Sequence, residues 1–117
     1  MKIIVEHEID DIMIDDICVT AFEGGINYWC DEAKILESSI PEKFIGMDLY
    51  ASQAISRGAS VELFDIEEEE IWLLTPENFQ KGLERCANEW NLNLEDLDAD
   101  DVDRIIQYAL FGEIIFG

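Results

Sequence analysis

The sequence predicts an α+β fold: about four helices packed on a small, mainly antiparallel sheet. Three observations carry that expectation. Two short β-type runs, 61–66 and 71–74, flank a compact acidic connector, the pattern of an antiparallel hairpin. Two later segments open on strong helix starts, Thr75-Pro76-Glu77 and Asp98-Ala99-Asp100-Asp101, and continue with apolar residues at helical spacing. Apolar residues make up 49% of a 117-residue chain, enough for the core of a single domain, and no repeat or composition shift suggests a boundary within it.

Taken in order, residues 2–8 read as a strand because Ile3, Ile4 and Val5 are β-branched. Asp10 or Asp11 then caps a helix whose apolar residues spread over a wide face, as in a helix buried between other elements. Gly24 is the expected left-handed stop, and Gly25 leaves room for a close backbone approach. A short strand is expected at 33–37 and a loop at 38–46 around Pro41. The helix from Asp48 ends with Arg57 in its last turn and Gly58 as its stop. After the hairpin, Phe79, Leu83, Cys86 and Trp90 form a core stripe, and residues 91–97 form a linker. The last helix carries Val102, Ile105, Ile106, Ala109 and Leu110 on one face and stops at Gly112. Residues 113–116 read as a terminal strand.

Charge narrows the functional classes. There are 28 acidic against 7 basic residues, a net −21, where roughly 2 to 8 is usual for a small soluble domain; the acid either serves a partner or only keeps the chain soluble. Residues 1–30 carry 7 acids, 31–60 carry 5, 61–90 carry 9 and 91–117 carry 7, so the acid is interleaved with the core rather than gathered in a tail. Such a surface repels nucleic-acid phosphates and anionic membranes, and favours basic proteins or cations. Residues 1–6 show no signal pattern, and no apolar run reaches membrane-spanning length. With Cys18, Cys30 and Cys86 odd in number and unpaired in spacing, the expected setting is a reducing cytoplasm.

Motifs for chemistry are weak. Asp96, Asp98 and Asp100 match the first positions of a calcium loop, but Asp101 stands where glycine is needed and Gln107 where glutamate is needed. A capped helix start explains these acids better. His7, the only histidine, has no close cysteine partner for zinc and no nucleophile in a recognisable elbow. Gly24-Gly25 lacks the third glycine and the basic residue of a phosphate cradle. The sequence therefore points away from an enzyme and calls for no cofactor or metal. Trp72 and Trp90 read as core. Asn27, Tyr28 and Trp29 either lock the first helix to the sheet or line a shallow pocket.

At Ala21-Phe22-Glu23-Gly24-Gly25-Ile26-Asn27-Tyr28-Trp29-Cys30, and again at Ile106-Gln107-Tyr108-Ala109-Leu110-Phe111-Gly112-Glu113-Ile114-Ile115, the chain resembles a family of small acidic proteins. These are encoded in phages, prophages and other mobile elements of Gram-positive gut bacteria. The likeness extends to Tyr50-Ala51-Ser52 and Leu74-Thr75 and so to most of the chain. It carries over no catalytic or binding residue. What it implies is a context in which small acidic proteins often disarm host defences by occupying nucleic-acid-binding grooves.

The resulting expectation is an inhibitor of a basic, nucleic-acid-handling host protein, such as a CRISPR effector or a restriction nuclease. Its binding residues would be Glu67, Glu68, Glu69 and Glu70 at the hairpin turn, with Asp98, Asp100, Asp101 and Asp103 at the last helix start. They would act as a DNA mimic. Two alternatives stand beside it. One is a self-associating module, a homodimer through Tyr28, Trp29 and the terminal strand. The other is a small-ligand or cation sink at residues 24–30.

Overall fold

The computed structural model describes residues 2–4 and 7–117, with side-chain environments from Ile9 onward. Its element order is β1 (Lys2–Ile4), β2 (His7–Glu8), α1 (Asp11–Thr20), β3 (Cys30–Ile35), α2 (Ala51–Ala54), β4 (Val61–Asp65), β5 (Ile71–Leu74), α3 (Pro76–Trp90) and α4 (Ala99–Phe111). The four helices and a three-stranded antiparallel sheet make an α+β fold, as the sequence predicts. The sheet order is β3-β4-β5, with β1 and β2 forming a separate antiparallel pair. The single strand expected over residues 2–8 is thus two short ones, pairing Lys2 with Glu8 and Ile4 with His7. The expected placement of the His7 side chain lies outside the described residues.

In the three-stranded sheet, Leu63 lies between Ala33 and Trp72, and Val61 lies between Ile35 and Leu74. Val61, Leu63 and Leu74 are fully buried, so this face of the sheet is the one the helices cover. The opposite face carries Glu62 beside Lys34 and Leu73, and Phe64 beside Glu32 and Ile71. The edge strand β3 runs Cys30–Ile35, beginning three residues and ending two residues earlier than the sequence suggests.

Local signals set most helix ends. The Asp10 carboxylate accepts from the Met13 N–H at 2.9 Å, and Thr75 accepts from Asn78 N–H at 3.0 Å while Asn78 returns the bond to Thr75 N–H at 2.7 Å. Pro76 takes the first helical position of α3. Gly58 and Gly112 adopt left-handed stops at φ 86° and 72°. Gly24 does not: its φ is not positive. The chain instead widens into a π turn over Ala21–Gly25, closed by the Ile26 N–H on the Ala21 carbonyl at 3.0 Å.

The widening brings Gly25 against α4. A Cβ at Gly25 would stand 2.8 Å from Val102 Cγ2 and 2.9 Å from the Ala99 carbonyl oxygen. A second close approach joins α3 to α4, where a Cβ on Gly82 would stand 2.4 Å from the Ala109 backbone nitrogen. Glycine in mid-helix costs roughly 1 kcal/mol relative to alanine, and here it lets two helix backbones meet. The α3 stripe holds for Phe79, Leu83 and Cys86, but Trp90 is 46% exposed. It sits in the last turn of α3, beyond the sheet, with its ring under the Arg104 guanidinium at 4.4 Å and its Nε1–H donating to Tyr108 Oη at 3.0 Å.

Residues 113–116 are not a strand. The last two of them are held by one side chain: Gln107, fully buried on α4, accepts from Ile115 N–H at 2.8 Å and Phe116 N–H at 2.9 Å. Its Nε2 donates to the Phe116 carbonyl at 3.2 Å. A side-chain amide thereby supplies what a neighbouring strand would supply.

Candidate protein-binding surface

Trp29 joins the two segments that carry the acidic clusters. The tight turn after Gly25 buries its indole to 1% exposure. On one side, the Trp29 carbonyl accepts from Ile66 N–H at 3.0 Å, fixing the start of the hairpin turn. On the other, its Nε1–H donates to Asp103 Oδ1 at 2.8 Å, one turn into α4. The same Asp103 oxygen accepts from Gln107 Nε2 at 2.9 Å, and Oδ2 accepts from the Tyr28 hydroxyl at 2.5 Å. A buried carboxylate is tolerable when its oxygens are satisfied in this way. Burial, and then the bond to Asp103, push the Tyr28 hydroxyl up to about 12.

Around Trp29 four rings pack with centroids 5.0–5.9 Å apart: Trp29, Trp72, Phe111 and Phe116. Phe116 stacks on Trp29 at 7°, and most of the others meet edge-on. The ring cluster and the Asp103 bonds together tie β5, α4 and the chain end to Trp29. Trp72 is partly buried in it, and its Nε1–H reaches out to Glu70 Oε2 at 2.9 Å.

The expected binding carboxylates divide by environment. Glu67, Glu68, Glu69 and Glu70 all lie exposed at the turn, where Glu68 takes a positive φ of 60° and Asp65 N–H donates to the Glu70 carbonyl at 3.0 Å. Asp98 and Asp100 are exposed at the start of α4. Asp98 also caps the helix, accepting from Asp101 N–H at 2.8 Å, and Asp101 returns the bond at 3.1 Å while pairing with Arg104 at 3.2 Å. Asp101 is therefore committed to α4 itself. Asp103 leaves the set altogether: at 8% exposure it holds Trp29, Tyr28 and Gln107 and offers nothing to a partner. Sequence reasoning missed both Asp103 and Gln107 as structural groups. Their spacing of four on a helix, beside Val102 and Ile106, was the available signal.

Three further cations pair with carboxylates: Lys34 lies 3.6 Å from Glu32, Arg57 lies 2.7 Å from Asp15, and Arg85 lies 2.9 Å from Glu89. With 28 acids against 7 bases, the carboxylates far outnumber the cations that could pair with them.

Asn27, Tyr28 and Trp29 do not form one pocket. Asn27 is exposed beside a niche of about 20 Å³, room for a single water, and Trp29 is core. Tyr28, half exposed, lines a separate shallow groove of about 660 Å³ with Trp90, Asp100 and Phe116. Burial pushes the Cys30 and Cys86 thiols up to about 11 and about 12, and Cys18 further still, so the three thiols stay protonated at neutral pH. All three are free. Among the described residues no helix is long and apolar enough to cross a membrane. Comparison with models of protein families, with curated proteins and with solved structures finds no match to this chain.

Proposed function

We propose that this is a non-enzymatic binding protein that covers the nucleic-acid-binding surface of a basic host protein, an inhibitor of the anti-CRISPR or anti-restriction type. Its setting would be the cytoplasm of a bacterium that carries a phage or mobile element. The observation behind this reading is that two exposed acidic segments, the turn at 67–70 and the start of α4, are both hydrogen-bonded to one buried residue, Trp29, through Ile66 and Asp103. Pre-set charges lose little freedom on binding, and fields of one sign speed encounter with a basic surface.

Four consecutive exposed glutamates at the turn, with the exposed Asp98 and Asp100 at the start of α4, supply the two clusters of negative charge that would stand in for phosphates. The test is displacement of labelled DNA from purified nucleases by the protein, compared with a variant in which exposed acids of both clusters are reversed. The self-association reading has less to rest on, since Trp29 is buried and residues 113–116 are not a strand. The ligand-sink reading at residues 24–30 has no shared pocket to rest on: Asn27 borders a 20 Å³ niche and Tyr28 a separate shallow groove.

A further inference from the structure

The clearest feature that the acidic-surface reading leaves unused is a groove between α1 and the segment at 91–97. Its volume is about 490 Å³, far more than the gaps that close packing leaves between side chains, so it is no packing defect. Three buried side chains form its floor: Ile17 from α1, Leu94 from the segment and Val102 from α4. Met13, Val19 and Leu97, each half-buried, add apolar walls. The rim is acidic, with Asp16 on the α1 side and Glu95 and Asp96 opposite, all exposed. No lysine or arginine is among the residues that line it.

The local chain explains this arrangement. Asn91 ends α3 in a left-handed conformation, and Leu94 then tucks inward. The Asn93 side chain accepts from Glu95 N–H at 3.1 Å, and its carbonyl accepts from Asp96 N–H at 3.0 Å. Both acids are thus held on the rim beside the exposed Asp98. One turn before Asp16 on α1, Ile12 is 71% exposed and extends the apolar surface outward.

We infer that this groove receives an amphipathic, basic helical segment of a protein partner: its apolar side chains on the floor, its lysines or arginines against Asp16, Glu95 and Asp96. Charge complementarity on an apolar trough selects that partner. A fully polar ligand would leave the floor wet, and an apolar one without cations would leave three carboxylates near a closing interface with no counter-charge. This rests on the reading of the protein as a binder of basic partners and names the chemistry that partner must carry.

The probe is a designed Leu/Lys peptide of about 16 residues with leucines at helical spacing, titrated against the isotope-labelled protein and followed by amide chemical shifts. Two control peptides keep the same length: one replaces leucine by serine, the other replaces lysine by glutamine. The Leu/Lys peptide is expected to shift Met13, Thr20, Leu94 and Leu97, and to bind about tenfold more tightly than either control. Glu95→Lys with Asp96→Lys should remove about tenfold in affinity, whereas Glu37→Lys with Glu42→Lys, exposed acids that do not line the groove, should leave it unchanged. The inference is overturned if the Ser/Lys peptide binds equally well, or if shifts gather at residues 67–70; either result leaves the acidic-surface reading standing. Failure of every cationic peptide to bind at low salt overturns both.

Discussion

At the scale of the residue, the two adjacent glycines separate cleanly. Gly24 has open space around the position of a Cβ and no positive φ, so Gly24→Ala should stabilise the protein by about 0.5–1 kcal/mol through the unfolded chain and helix propensity. Gly25→Ala drives a methyl group into Val102 and the Ala99 carbonyl and should cost about 2 kcal/mol. Urea unfolding of the two variants checks both signs. Capping residues such as Asp10, Thr75 and Asp98 were legible in the sequence because cap and capped group lie within three residues. Asp103 was not, because Tyr28 and Trp29 lie 75 and 74 residues away in the chain. An aspartate in an acidic run looks like surface until its partners are known. Gly24 misled for a related reason: a helix that ends by widening onto a neighbour needs no left-handed glycine.

At the scale of the element, the Gln107 amide ties α4 to the chain end through Ile115 and Phe116. Gln107→Met keeps the volume but strips two acceptor bonds from Ile115 and Phe116, the polar link that holds residues 115–116 to α4. Amide exchange at those two residues should rise by about tenfold or more while exchange in β4 and α3 stays near its original rate. Unchanged exchange at Ile115 and Phe116 would show that the Phe116–Trp29 stacking alone holds the segment. The hairpin was readable in outline because β-type runs and an acidic turn are local features, and its register follows once Leu63 and Val61 are buried. The terminal strand was misread because Ile114, Ile115 and Phe116 have strand propensity, while the group that pairs with them comes from a helix. Nothing in the sequence around Gly82 showed that α3 and α4 meet there, since that contact exists only once the helices pack.

At the scale of the whole molecule, titration and net charge act together. The Cys30 and Cys86 thiols rise from 9.0 to about 11 and about 12, and the Tyr28 hydroxyl from 10.0 to about 12. Folded-state values above the unfolded ones mean that the folded protein holds these protons more tightly. Their contribution is complete below pH 9 and is lost as pH climbs toward about 12. The urea midpoint should therefore fall steadily from pH 9 to pH 11, and thiol-specific reagents at pH 8 should react with the cysteines only as fast as the protein opens. A flat stability profile over that range would contradict the buried thiols. The fold class was legible in the sequence, and so was the acidic surplus. Which carboxylates remain free for a partner was not, because that depends on which ones the fold consumes.

The most direct measurement of the central claim is release of labelled duplex and single-stranded DNA from restriction and CRISPR effector nucleases, followed by anisotropy at low and high salt. The reversed variant should carry Glu67→Lys, Glu69→Lys and Asp100→Lys, which spare Asp98 and Asp101 as helix caps, Glu70 as the partner of Trp72 and Asp103 as the anchor of Trp29. The account predicts release by the native protein at low salt, steep weakening as salt rises, and loss of release by the variant at unchanged thermal stability. Release by the variant as strong as by the native protein, or no release from any of these nucleases at low salt, would contradict it.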